Sequence, residues 1–182
     1  MLHLVRHGRP DSSPEVPRHE WGLSASAVDE VHRLRDSGLL PASAPWFASS
    51  ERRAVETARL LHDGEIAICP DLREQERPDW VDDFEAAIER AVRHPDRPAH
   101  EGWETADEVT RRVVREVRAI TGQFAGDVVL VGHGFAWTVL VAALTDGEPD
   151  LVSWEAMGMP DHCALDGDRI VSHWEAWARA DG

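Results

Sequence analysis

The sequence predicts an α/β fold: a three-layer sandwich in which a mainly parallel sheet carries helices on both faces and has an antiparallel edge strand. Three observations predict it. Short apolar runs at residues 2–5, 45–48 and 127–131 alternate with segments whose apolar residues recur at helical spacing. The run at 127–131 is apolar throughout its centre, as in strands covered on both faces, which is how parallel sheets are built. The last two runs, 163–165 and 169–173, flank Asp166-Gly167-Asp168, a hairpin signal that sets them antiparallel.

Each element follows from local chemistry. Residues 2–5 (Leu-His-Leu-Val) form the first strand. A loop rich in proline, serine and histidine, 10–22, follows it. Ser24 then offers a cap to a helix whose face is Ala27, Val28, Val31 and Leu34 and which Gly38 stops. Residues 45–48 are the second strand, and Ser49 and Ser50 offer caps for a helix through Leu61. Residues 65–69 alternate as a third strand, ended by Pro70. A helix over 82–93 places Phe84, Ala87, Ile88 and Ala91 on one face, and a proline-containing loop, 94–102, leads to Thr105-Ala106-Asp107-Glu108. That tetrapeptide is a capping box, in which Thr105 and Glu108 each satisfy a free backbone donor ahead of the buried stripe Val109, Val113, Val117 and Ile120. Residues 127–131 are the fourth strand, Gly132-His133-Gly134 is a turn, and 135–144 is an apolar helix. No repeat or long linker divides the chain, so 1–182 is expected as one domain.

Composition narrows the function. The formal charge of −15, from 19 Lys+Arg against 34 Asp+Glu, repels polyanions at long range and excludes a general nucleic-acid or anionic-membrane binder. It leaves room for a local pocket of arginines. No apolar run approaches a membrane span and no targeting segment is expected. Cys69 and Cys163 are too few for a disulfide framework and lack zinc spacing, so reduced thiols in a cytoplasmic protein are expected.

In open parallel sheets, ligands bind beyond the carboxyl ends of the strands. There this sequence places Arg6-His7-Gly8, Ser49-Ser50-Glu51-Arg52-Arg53, Leu72-Arg73-Glu74 and Gly132-His133-Gly134, one cluster after each strand. Two histidines, several arginines and a carboxylate on one edge suit a tetrahedral dianion. A neutral imidazole can attack phosphorus and hold the phosphoryl group covalently. Arginine forks grip non-bridging oxygens and neutralise charge in the transition state. A carboxyl group can protonate the leaving oxygen and then take a proton from water. Glu74 and Glu76 both offer one, and in an extended segment they face opposite ways. Arg52 is read as a solvated helix residue, and His3 as a structural histidine in or near the core. Trp21, Trp80, Trp103 and His19 stand in loops bordering the edge.

With those residues in place the chain resembles the histidine phosphatase superfamily, also called phosphoglycerate mutase-like. Leu4-Val5-Arg6-His7-Gly8 resembles its signature, and Ser49 to Ala58 resembles its Ser-x-x-x-Arg-Ala-x-x-Thr-Ala helix start. Leu72-Arg73-Glu74 is similar to its proton-donor segment, Gly102-Trp103-Glu104-Thr105 to its Gly-Glu-Ser stretch, and Val131-Gly132-His133-Gly134 to its second histidine motif.

The resemblance implies a phosphoglycerate mutase-like fold and a phosphomonoesterase of the histidine acid phosphatase type. His7 becomes phosphohistidine, Glu74 is acid then base, and Arg6, Arg53 and His133 bind the phosphoryl oxygens, with Ser13 and Gly134 as further substrate contacts. It implies no metal or organic cofactor, and a small phosphorylated metabolite as partner. Two other activities use the same residues: a mutase that reloads its phosphoenzyme from a bisphosphate, and a non-catalytic module that recognises phosphate. The chain departs from the family at Arg9-Pro10-Asp11-Ser12-Ser13 and at Gln75-Glu76-Arg77-Pro78-Asp79-Trp80, segments that border the substrate.

Overall fold

The computed structural model describes residues 1–78 and 80–179, so Asp79 and the three C-terminal residues lie outside the described residues. One sheet is formed by β1 (Leu2–Arg6), β2 (Trp46–Ser49), β3 (Ile66–Cys69), β4 (Val128–Gly132), β5 (Asp161–Asp166) and β6 (Arg169–Ser172). Its spatial order is β3-β2-β4-β1-β5-β6. The first four are mutually parallel, with Leu4 beside Leu130 and Phe47 beside Leu130 on the other flank. β5 pairs antiparallel with β1, and β6 pairs antiparallel with β5. The strand that runs against the others is therefore one in from the edge, because the hairpin at Gly167 returns β6 to the common direction; Gly167 has φ +64, which a residue without Cβ adopts freely.

The helices are α1 (Ala27–Asp36), α2 (Arg52–Leu61), α3 (Phe84–Arg93), α4 (Ala106–Thr121), α5 (Gly134–Leu144), α6 (Leu151–Ala156) and α7 (Ala176–Arg179). Alternation along the central strands sends successive side chains to opposite faces. Leu2, Leu4, Val128 and Leu130 pack with Ile88, Val113 and Leu140 of α3, α4 and α5. Val5, Val129 and Val131 pack on the other face with Val31 and Leu34 of α1 and Ala58 and Leu61 of α2. The expected three layers are the result. α5 is apolar on nearly every side because it is buried along most of its length, including Phe135, Trp137 and Leu140. Among the described residues no helix is long and apolar enough to cross a membrane.

The local signals mostly act as read. Glu108 N donates to Thr105 Oγ1 (3.2 Å) and Thr105 N to Glu108 Oε2 (2.8 Å), closing the capping box. Gly38, at φ +71, follows α1 and ends it. The serine caps do not form. Ser26 and Glu51 occupy the cap positions of α1 and α2 with no side-chain bond to the helix, Ser24 Oγ meets Ser26 Oγ at 3.1 Å, and Ser49 is drawn into the site. β5 begins at Asp161, two residues before the expected 163, because its first two residues are buried polar groups with partners. Asp161 accepts from the backbone N–H groups of Gly158 and His162, and His162 stacks on His3. The short helix α6, capped by Asp150 through Ser153 N (3.0 Å), has no buried residue and so no apolar period to read.

Candidate active site

The parallel strands end together, and because β4 lies between β2 and β1, the residues following them meet. His7 N donates to Gly132 O (2.9 Å), which fixes the backbone after β1 to the end of β4. Gly8 is the residue that lets this turn pass under α1. A Cβ there would stand 2.9 Å from Val31 Cγ2 and 3.2 Å from Leu23 Cδ2. Its N–H donates to Thr57 Oγ1 (2.9 Å), and the same hydroxyl donates to Arg53 O (2.7 Å), joining the tip of β1 to α2.

The two imidazoles lie 5.1 Å apart between ring centres, inclined at 61°. His7 Nδ1 donates to Gly8 O at 2.7 Å; a carbonyl only accepts, so the proton sits on Nδ1 and the lone pair on Nε2. That lone pair accepts from Arg53 Nε at 3.0 Å. Burial, reinforced by the charge of Arg53, holds His7 well below its ordinary value, so the ring is neutral. Arg53 also donates through NH2 to His133 Nδ1 (3.2 Å), which assigns the His133 proton to Nε2, where it is given to Ser49 Oγ (2.8 Å). Burial and Arg53 depress His133 in the same way. Arg53 NH1 donates to Arg18 O at 2.6 Å, and NH2 pairs with Glu51 Oε2 at 2.5 Å.

The remaining expected residues are placed as follows. Arg6 lines the cavity described below; its NH1 donates to Met157 O (2.6 Å), while its Nε is buried without a partner among the described residues. Gly134 makes room for it, since a Cβ there would stand 3.1 Å from Arg6 Nε and 3.3 Å from Arg6 Cζ. His133 is fully buried, meets His7 ring to ring, and is joined to it by hydrogen bonds through Arg53. Ser13 Oγ accepts from Glu15 N (3.2 Å) within its own turn, and its neighbour Ser12 lines the cavity. Arg52 is exposed and pairs with Glu56 at 2.7 Å, the solvated role expected.

Glu74 sits at the amino end of α5. Its Oε1 accepts from Ala136 N (3.0 Å) and Gln75 N (2.9 Å), and its Oε2 accepts from Phe135 N (3.2 Å). Free N–H groups at a helix start favour a carboxylate there. Burial opposes the Glu74 charge, but Arg77, His133 and the Gln75 N–H outweigh it, and the carboxyl is held below its ordinary value. Glu76 is exposed and its backbone is tied to Glu104.

The segment carrying Glu74 is braced from α4. Arg112 donates to Asp71 O (2.8 Å) and Arg73 O (3.0 Å) and pairs with Glu104 at 2.7 Å, while Gln75 Nε2 donates to Glu104 O (2.7 Å). Sequence reasoning did not find Arg112, although a cation three residues after Val109, on the buried stripe, was a signal. Nor did it find Glu51, which accepts from Glu74 N (2.7 Å) while pairing with Arg53, and so links Arg53 to the backbone of Glu74. No sequence feature marks Glu51.

These groups open on a cavity of about 780 Å³. Five arginines line it (Arg6, Arg18, Arg53, Arg73 and Arg77) against three glutamates (Glu51, Glu74 and Glu76), so an acidic chain concentrates positive charge at one point. Trp21, Trp80 and His19 line it as well, whereas Trp103 packs behind it against Phe84. Arg9 is exposed and does not line it. Among the described residues no group of three or more His, Cys, Asp or Glu is placed to hold a metal ion.

The fold defines a class shared with solved structures that include phosphatases. The structure is similar to Bacillus stearothermophilus YhfR (25% identity, TM-score 0.71, covering 96% of this chain and 95% of that one). It is also similar to a mycobacterial glucosyl-3-phosphoglycerate phosphatase complexed with VO3 (25% identity, TM-score 0.75, 96% and 98% covered). A mutant phosphoserine phosphatase from Entamoeba histolytica in complex with phosphoserine shares the fold (13% identity, TM-score 0.74, 96% of each chain covered). A search of curated protein sequences gives no match. The model of the histidine phosphatase superfamily, branch 1, matches residues 2–170, and the chain belongs to that family.

Proposed function

We propose that this protein is a metal-independent phosphomonoester hydrolase acting on a small phosphorylated metabolite through a phosphohistidine at His7, with Glu74 as proton donor and then base. The observation that carries this reading is the His7 tautomer: Nδ1 is committed to Gly8 O and a neutral, desolvated Nε2 lone pair faces Arg53. In the first displacement that lone pair forms the N–P bond as the ester P–O bond breaks. The released electron pair goes to the leaving oxygen, which takes the Glu74 proton. In the second, Glu74 takes a proton from water, the water oxygen bonds to phosphorus, and the N–P pair returns to His7. Arg6 and Arg53 neutralise charge on the non-bridging oxygens, and His133 holds Arg53 in place. Because the Glu74 carboxyl is held below its ordinary value, the proton it gives to the leaving oxygen arrives with the substrate, and turnover favours the monoanionic ester. The two free thiols suit a cytoplasmic setting.

The test is turnover of p-nitrophenyl phosphate in EDTA, with trapping of the phosphoenzyme by an alkaline denaturing quench. Wild type is expected to turn over and to yield an acid-labile phosphoryl adduct; His7→Ala yields neither. Glu74→Gln is expected to lose about 10²–10⁴ in rate and Glu76→Gln little. Equal rates in wild type and His7→Ala would end the phosphohistidine reading, and loss confined to Glu76→Gln would move the proton donor.

A further inference from the structure

Arg77 occupies an unusual position. Its side chain is 95% buried, at 5% exposure, and lines the cavity, yet only its Nε is satisfied, by Gln75 Oε1 at 2.9 Å. Its Nη2 is buried with no hydrogen-bond acceptor among the described residues, and Glu74 Oε1, the carboxylate oxygen paired with it, stands at 4.0 Å, beyond hydrogen-bond reach. Buried guanidinium donors are costly to leave unmade, so such a group is expected to have a partner in the working state. Burial is severe enough to bring Arg77 down to about 10 from its ordinary value.

A second cation stands beside it. The Arg18 guanidinium lies over Trp21 (5.1 Å), Trp80 (5.4 Å) and Phe84 (5.8 Å) and makes no hydrogen bond among the described residues. Arg77 lies over the same Phe84 ring at 4.9 Å and over Trp103 at 5.4 Å. Aromatic faces hold both cations in place while leaving their N–H edges free. Arg53, in contrast, has its donors committed to His7, His133, Glu51 and Arg18 O, and Arg6 gives NH1 to Met157 O. The cavity therefore carries Arg77 and Arg18 as a second pair of arginines, and Glu74 Oε1 is the carboxylate oxygen that stands by Arg77.

We infer that Arg77 and Arg18 form a second anion subsite on the leaving-group side of Glu74, so that the substrate is a phosphomonoester whose alcohol carries its own anionic group a few bonds from the ester oxygen. The inference rests on the proposed hydrolase reading for the direction of the leaving group. A carboxylate or a second phosphate supplies the same chemistry, since each presents paired oxygens to a planar fork.

Matched substrates test it. 3-Phosphoglycerate and glycerol 3-phosphate differ by carboxylate against hydroxymethyl, and fructose 1,6-bisphosphate and fructose 6-phosphate differ by one phosphate. Wild type is expected to favour the more anionic member of at least one pair by about tenfold or more in kcat/KM, mainly through KM, and the preferring pair names the anion. Arg77→Met and Arg18→Ala are each expected to collapse that ratio. The ratio cancels any common effect of Arg77 on Glu74 acidity, and the half-buried Arg18 keeps the test open if Arg77→Met misfolds. No preference in either pair, or a ratio unchanged in Arg18→Ala, overturns the subsite while leaving the hydrolase reading intact. If no ester turns over, calorimetric binding of the same four compounds to His7→Ala decides: a preference lost in Arg18→Ala supports the subsite although the hydrolase reading has failed, and equal binding overturns it.

Discussion

Replacing Thr57 by valine tests how His7 is held. Thr57 is fully buried, and its hydroxyl makes two bonds, donating to Arg53 O at 2.7 Å and accepting from Gly8 N at 2.9 Å. Valine keeps the shape. Arg53 O retains its ordinary helical partner, but Gly8 N–H is left buried without an acceptor, a loss of about 1–3 kcal/mol. Thr57→Ser keeps both bonds and removes one methyl, about 0.8 kcal/mol. In a domain of this size about 2 kcal/mol lowers the melting temperature by about 4–8 °C. The second effect is catalytic. Gly8 O orients His7 Nδ1, so a shift of the Gly8 peptide turns the imidazole away from its line of attack, and kcat is expected to fall about tenfold or more with KM little changed. Urea denaturation and steady-state turnover of p-nitrophenyl phosphate measure the two. If Thr57→Val unfolds at the wild-type midpoint and turns over at the wild-type rate, the link from α2 through Gly8 to His7 is wrong. If Thr57→Ser is as damaged as Thr57→Val, packing of the methyl, and not the hydroxyl, is what matters.

Stability is expected to fall as pH drops below about 6.5. His162, depressed to about 4 by burial and by His3, stays neutral when folded and takes a proton when unfolded, so the unfolded state binds more protons across this window. His162 alone then costs about 3 kcal/mol between pH 6.5 and 4, and His7 and His133 act in the same direction. Urea midpoints at pH 8, 6 and 4.5 check this, and a flat profile refutes it. Gly134→Ala is expected to separate stability from function. Alanine suits the first residue of α5, so stability should hold or rise by about 0.5 kcal/mol, while the Cβ at 3.1 Å from Arg6 Nε should displace the guanidinium and weaken inorganic phosphate binding several-fold by calorimetry. Unchanged phosphate affinity would remove Arg6 from the clamp.

Legibility from sequence followed the range of the interaction. The capping box at Thr105 and Glu108, the stop at Gly38 and the turn at Gly167 act within a few residues, so their chemistry is complete in the local chain. Arg6, His7, Arg53, Glu74 and His133 were legible because each follows a strand of a parallel sheet, whose carboxyl ends share one edge. Ser24 and Ser49 failed as caps because a hydroxyl has several possible partners: Ser24 Oγ meets Ser26 Oγ close by in the chain, and Ser49 Oγ is claimed by His133, 84 residues away, which only the tertiary structure brings near.

By itself, then, the sequence determined the alternation that makes the sheet parallel and double-faced, and the residue types able to attack phosphorus and grip its oxygens. Only the tertiary structure decided the strand order that sets β4 between β2 and β1, and with it the tautomers of the two histidines. Only there does Glu51 tie Arg53 to the backbone of Glu74, and only there do Arg18 and Arg77 meet one aromatic ring, Phe84. The physical reason is that a proton's position and a cation's freedom depend on which donors and acceptors come within about 3 Å, and for residues dozens of positions apart that distance is set by folding alone.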